Sequence, residues 1–224
     1  MIVAIDGPAG SGKSSTARAL AESTGFVYLD TGAMYRAVAL RFLQLGVEAV
    51  EENVDLVWET FSLDLGTSAE GMKVYLNGTD VSKEIRSPVV TDMSSRVSVL
   101  SEVRRRMVRE QQRIAASREK DGKGVIVEGR DIGTVVFPSA NVKIFLDASP
   151  EVRARRRVVD FEKEGHEVDQ AEIENDLIER DNRDRTRAIS PLKKADDAIV
   201  IDTTHLSLKE QIQSVESIIR ERID

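Results

Sequence analysis

The stretch "AIDGPAGSGKSSTARAL", from Ala4 to Leu20, decides the fold. Gly7, Gly12, Lys13 and Ser14 fit the spacing G-x-x-x-x-G-K-[ST], with an apolar strand pattern before them and a helical pattern after. Glycines let the backbone turn until its N–H groups face inward, and the N-terminus of the following helix adds partial positive charge. Such a loop grips phosphates. Gly7, Pro8, Ala9, Gly10, Ser11, Gly12, Lys13, Ser14 and Ser15 are therefore candidate ATP-binding residues, with Lys13 bridging the β- and γ-phosphates and Ser14 a candidate ligand for Mg2+. The plainer alternative is a chance glycine-rich turn between strand and helix.

Outward from the loop, short apolar segments alternate with amphipathic ones, the pattern of a parallel sheet covered by helices on both faces. Strands are predicted at Ile2–Ile5, Val27–Leu29, Val125–Val127, Val142–Leu146 and Ala198–Ile201, each nearly continuous in hydrophobicity, as strands buried on both faces are. Helices are predicted at Lys13–Ser23, Ala33–Leu45, Val103–Arg118, Pro150–Glu164, Ala171–Arg187 and Leu208–Arg222. The fold class is α/β, a doubly wound P-loop NTPase type. One region, Phe61 to Glu84, breaks the rhythm with short alternating segments and Asn77-Gly78, a type I′ hairpin signal because both residues accept positive φ.

Composition excludes several classes. A 224-residue chain, 41% hydrophobic, buries a full core, and with no cysteine there is neither a disulfide framework nor a cysteine-ligated zinc. His166 and His205 are far apart and read as surface residues rather than metal ligands. "MIVAID" lacks the basic and apolar regions of a secretion signal, and no apolar run approaches the roughly 18 residues of a spanning helix. The expectation is a soluble, cytoplasmic protein. A net charge of −7 argues against broad attraction to nucleic acid.

A phosphate-gripping loop serves GTPases, motor ATPases and small-molecule kinases alike. No N-K-x-D base-reading motif is present, and the D-x-x-G at Asp121–Gly124 precedes a strand where a switch should follow one. A kinase remains. An alcohol acceptor would want a base to take its proton, whereas an acceptor phosphate is already anionic and needs its repulsion with ATP screened, best by guanidinium groups. Arginines cluster in "RARRR" (Arg153–Arg157) and "ERDNRDRTR" (Glu179–Arg187), where Arg180, Asp184 and Arg187 fall at i, i+4 and i+7 on one helical face. A solvated, salt-bridged helix is the competing reading.

Longer segments, "DTGAMYR", "LNGTDVSKEIRSPVV", "EGRDIGTVVFP" and "VKIFLDASPEVRARRR", resemble the bacterial cytidylate kinases along essentially the whole chain. The resemblance implies transfer of the ATP γ-phosphoryl to CMP or dCMP with Mg2+, a five-stranded parallel core, an antiparallel CMP-binding insertion and a mobile helical lid. Core segments would be about 1–60, 96–150 and 188–224, the insertion 61–95 and the lid 151–187. By the same resemblance Thr31 and Arg36 lie near the CMP phosphate and sugar, and Ser95, Arg104 and Asp131 read cytosine. Arg130 meets the phosphate, and Arg180, Asp184 and Arg187 hold ribose and phosphate. Lys13, Arg157, Arg183 and Arg185 are the catalytic candidates, the three arginines as lid groups closing over the phosphates. Tyr35, Val135, Phe137 and "VKIFL" are assigned to the core. Glu128 departs from the family pattern, which more often has aspartate before "GRD". A monomer is expected. A P-loop kinase of a small alcohol, and an ATP-gated protein contacting RNA through its arginines, are the rival readings.

Overall fold

A computed structural model describes residues 1–68, 71–163 and 165–223. In chain order these form β1 (Ile2–Asp6), α1 (Lys13–Thr24), β2 (Val27–Asp30), α2 (Thr31–Leu45), α3 (Val54–Trp58) and β3 (Leu63–Ser68). There follow β4 (Gly71–Leu76), β5 (Thr79–Asp80), α4 (Pro88–Val97), α5 (Ser101–Lys120), β6 (Val125–Gly129) and β7 (Val142–Asp147). The chain closes with α6 (Pro150–Lys163), α7 (Gln170–Thr186), β8 (Ile199–Asp202) and α8 (Leu208–Ile223). Among the described residues the strands make a five-stranded sheet, ordered β2-β6-β1-β7-β8, and a three-stranded one, β3-β4-β5. In the larger sheet β1 runs parallel to β6 and β7, and β7 to β8; the smaller sheet is antiparallel. The α/β class and all five expected parallel strands are present. The expected helix end at Glu164 and the Ala69–Glu70 step of the insertion lie outside the described residues.

Two compact units divide the chain, Met1–Tyr28 with Ala116–Asp224, and Leu29–Ala115. In the larger, Val3, Ile5, Ile126, Val142, Ile144 and Leu146 of the central strands pack with Ala17 and Leu20 of α1 and Val215 and Ile219 of α8. Central strands covered on both faces carry unbroken apolar runs. At the edge, β8 departs from that expectation: Ile199 is 37% and Val200 50% exposed. It has a strand neighbour on one side, and helix cover does not reach its rim.

In the smaller unit α2 packs on α3, α4 and β4, burying Met34, Val38 and Phe42. The helix α4, "PVVTDMSSRV", is β-branched and serine-rich, so its propensity is poor. Pro88 at its start and burial of Val90, Met93 and Val97 stabilise it instead. The hairpin signal is realised, with Asn77 at φ 51° and Gly78 at φ 80°. One core assignment is overturned: Val135 is 37% exposed, because the single π turn Ile132–Val136 turns its neighbour Val136 inward in its place. Phe137 and β7 are buried as expected, and both histidines are exposed. No described helix is long and apolar enough to cross a membrane.

Candidate active site

In the larger unit the phosphate-gripping loop leaves the C-terminal end of β1, the sheet edge where open parallel sheets present their ligands. Gly7 has φ +148°, and a Cβ there would stand 2.0 Å from the Leu146 carbonyl oxygen, so the loop's first turn passes directly over β7. Lys13, at the start of α1, is buried, and its ammonium donates to the Pro8 carbonyl at 2.6 Å. Ser14 and Ser15 face solvent in the first turn of α1. Burial chiefly lowers the Lys13 pKa to about 7, with repulsion from Arg130 and Arg180 adding to it and Glu128 and Asp6 opposing. Glu128, itself buried at the end of β6, receives the Tyr28 hydroxyl.

The "GRD" turn follows β6, and its charged groups form a net with the end of α7. Arg130 Nε donates to Asp184 Oδ2 at 3.0 Å. Arg187 reaches Asp184 Oδ1 at 3.4 Å and Asp131 Oδ1 at 3.7 Å. Burial pushes the Asp184 carboxyl up, but Arg130, Arg187 and Arg180 together hold it below the usual carboxylate range. Arg130, Asp131, Asp184 and Arg187 are thus brought together, with one difference from the helical face expected for Arg180, Asp184 and Arg187. Arg187 is not in the helix; α7 ends at Thr186 and Arg187 has extended backbone, φ −61° and ψ 141°, its Nε donating to the Ser190 carbonyl.

The "RARRR" cluster does not act as one lid group. Arg153 is 3% exposed and turned into the protein, and Arg156 donates to the hydroxyl and carbonyl of Thr203. Arg157 is exposed and lies over the Phe161 ring, its guanidinium carbon 4.7 Å from the centroid. Arg183 and Arg185 are exposed on α7.

In the smaller unit, Asp30 caps α2 by accepting the Ala33 N–H at 2.8 Å and also receives Arg36 at 3.4 Å. Thr31 is buried beside that cap. Arg104 is one of three adjacent arginines on α5, and the three separate cleanly. Arg105 is exposed, Arg106 pairs with Glu102 at 2.6 Å and covers Trp58, and Arg104 is 2% exposed. The Arg104 guanidinium donates to the Ser98 carbonyl at 3.0 Å and stands over the Tyr35 ring at 5.4 Å, so Tyr35 is a platform for a cation as well as filler. Ser95, half-buried on α4, gives its carbonyl to the Ser98 hydroxyl.

Sequence reasoning missed Asp6. Its two carboxylate oxygens accept from Ile132 N–H at 2.8 Å and Gly133 N–H at 2.7 Å, tying the start of the phosphate loop to the turn that carries Arg130 and Asp131. Burial, its largest influence, raises the Asp6 pKa to about 6; the two amides pull it down and Asp131 pushes it up. Gln211 was missed as well; its side-chain amide donates to Thr16 at 2.6 Å and to the Ser11 carbonyl at 3.3 Å, supporting the loop from α8. Neither has a local signature, since each acts on groups far away in sequence.

A fixed cationic set beside a phosphate loop fits a transfer between two anions, and likeness to known proteins is consistent with that. A family model described as Cytidylate kinase matches residues 3–221. The cytidylate kinase of Salinibacter ruber is 47% identical over 215 residues, covering 96% of this chain and 95% of its own. That of Carboxydothermus hydrogenoformans is 46% identical over 226 residues, covering 100% of this chain and 99% of its own. The crystal structure of an uncharacterized protein from Eubacterium ventriosum, 15% identical, covers 98% of each chain with a TM-score of 0.51, a likeness of fold alone. With the family's identity sustained from β1 to α8, the chain belongs to the cytidylate kinase family.

Proposed function

We propose that the chain transfers the γ-phosphoryl of ATP to CMP and dCMP, forming the diphosphates. The observation that carries this reading is geometric: Asp184 holds Arg130 at 3.0 Å and Arg187 at 3.4 Å, while Lys13 is buried in the phosphate loop, and burial first, then Arg130 and Arg180, favour its neutral amine until polyanions bring negative charge. Two phosphate-bearing substrates supply that charge. No general base is required, because the attacking group is a phosphate oxygen already ionised near neutral pH. Asp184 and Asp131 accordingly serve as orienters, holding Arg130 and Arg187 to the acceptor phosphate and ribose, with Arg180 close enough to lower the Asp184 pKa.

Within the smaller unit, Thr31 and Arg36 suit a nucleotide's phosphate and sugar, and Ser95 and Arg104 its base. Cytosine offers an exocyclic amine next to acceptors at N3 and O2, so a guanidinium toward the acceptors and a hydroxyl toward the amine reject uracil, whose O4 accepts and N3–H donates. Arg104 suits that task because its aromatic and carbonyl contacts fix the plane of the guanidinium. Arg157, Arg183 and Arg185, exposed on α6 and α7, are the groups free to close over the transferring phosphoryl and exclude water.

Mg2+ fits this donor set. Among the described residues no cluster of three acidic or histidine side chains could hold a metal, and Mg2+ commonly rides on substrate phosphates with one or two protein oxygens, here the exposed Ser14 hydroxyl. When bound it neutralises charge on the phosphates. ATP and CMP are the expected partners of a cytoplasmic monomer; the net charge of −7 supports the exclusion of nucleic acid. A coupled diphosphate-forming assay across CMP, dCMP, UMP and AMP tests the assignment. Turnover of a sugar or shikimate-like alcohol with none of CMP would overturn it.

A further inference from the structure

We propose that the buried Arg153–Asp181 pair is a positioning device that fixes the phosphate loop to the two arginine-bearing helices by bracketing the Ala9 peptide, so that donor and acceptor phosphates are held in line. The claim rests on the phosphoryl-transfer reading above. Its geometry is closed: Ala9 C=O accepts from Arg153 Nη1 at 3.0 Å, Ala9 N–H donates to Asp181 Oδ1 at 3.4 Å, and Asp181 Oδ2 meets Arg153 Nη1 at 2.6 Å. Arg153 Nε is in turn held by the Ala148 carbonyl at 3.0 Å, just beyond β7. Both side chains are buried.

Apolar contact follows the same route. The Ala9 methyl packs with Ala154 of α6 and Leu177 of α7, and a Cβ on Gly10 would stand 3.1 Å from the Arg153 Cβ. The loop is therefore seated on both helices by one peptide and one methyl group. On α7, Asp181 lies one turn before Asp184, which holds Arg130 at 3.0 Å. A single helix thus joins the donor loop at Asp181 to the acceptor arginines at Asp184.

Holding two helices together does not call for a buried ion pair, since apolar side chains of similar volume commonly do it as well or better. What the pair adds is direction: it accepts one peptide in one orientation. Positioning of that kind affects the alignment of reacting groups more than the affinity for either substrate.

Asp181→Asn, Arg153→Met, Arg153→Lys and a control in the sheet core that touches neither partner of the bracket, Ile219→Ala, are compared at a temperature where all are folded. Saturating kcat for CDP formation, ATP hydrolysis without CMP, and ATP Kd by calorimetry are the readouts. In the hydrolysis water replaces CMP: its oxygen bonds to the γ-phosphorus as the bond to ADP breaks, and its protons pass to solvent and phosphate. Asp181→Asn and Arg153→Met are expected to lose about tenfold or more in kcat, keep ATP Kd nearly unchanged, and raise the ratio of hydrolysis to transfer. Arg153→Lys, retaining the charge but not the fork, is expected to recover part of kcat. A kcat loss no greater than that of Ile219→Ala, with an unchanged ratio, overturns the proposal. Should the first two variants not fold, Arg153→Lys alone decides: a wild-type ratio overturns the bracket, a raised one supports it. Wild-type protein that makes no CDP overturns the acceptor assignment, while its hydrolysis rate and ATP affinity still judge the bracket.

Discussion

The Lys13 ammonium donates to the carbonyl of Pro8 at 2.6 Å, inside its own loop. Bound phosphate would draw it out. Lys13→Ala is expected to lower kcat by about two to three orders of magnitude, the scale of removing one preorganised donor from a transition state, while CMP affinity changes little. Steady-state kinetics with a separate CMP titration reads both, and equal turnover in the two proteins would contradict the role.

Proton uptake on ATP binding follows from the same burial. With its pKa near 7 in the ligand-free chain, Lys13 is mostly neutral in mild alkali, and phosphate contact restores its charge. At about pH 8, where ATP itself is fully ionised, binding should take up as much as ~0.9 proton per molecule. Calorimetry in buffers of different ionisation enthalpy measures it. Lys13→Ala should abolish it, and a wild-type value near zero would mean that the lysine is already charged.

Asp6 gives a pH dependence of stability with a definite sign. Its carboxyl binds a proton more readily folded, at about 6, than at the ordinary aspartate value of 3.8, so the stability it contributes is full below the lower value and is lost as pH rises through the upper. The advantage of wild type over Asp6→Asn should therefore shrink by about 1 kcal/mol between about pH 5 and pH 7. Urea unfolding at the two pH values checks this, and a gap that widens would reverse the assignment.

Legibility in the sequence followed the range of the interactions. Gly7 to Ser14 and Asn77-Gly78 were readable because local backbone geometry dictates residue type, and the parallel strands because double burial leaves an apolar run. The helix α4 was not, since its propensity is poor and packing on α2 overrides it. Within "RARRR" composition gave cations but no direction: only folding shows Arg153 turned to Ala9, Arg156 to Thr203 and Arg157 to solvent. Asp6 was silent for the same reason, its two acceptors being used by amides 126 and 127 residues away.

Arg104 is the sharpest test of base recognition. Arg104→Met keeps much of the side-chain volume against Tyr35 but removes the guanidinium, so kcat/KM for CMP should fall and the preference over UMP narrow by tenfold or more, the scale of about 1–3 kcal/mol for an unmet buried group. Both substrates are compared in one coupled assay. Unchanged discrimination removes Arg104 from the base site.

Two glycines with positive φ separate strain from obstruction. At Gly25, φ is 72° and nothing lies within 4 Å of an added Cβ, so Gly25→Ala should cost only the left-handed penalty, about 1–2 kcal/mol. At Gly7, φ is 148° and the added Cβ, whose place the backbone fixes, would meet the Leu146 main-chain oxygen at 2.0 Å. No rotamer relieves that contact, so β1 and β7 must separate or the loop must leave its seat, and with it the register of Lys13. Gly7→Ala is therefore expected to lower Tm well beyond Gly25→Ala and to weaken ATP binding, which thermal melts with and without ATP will show. Equal melting temperatures for the two variants would mean that the loop does not cross β7 as closely as this.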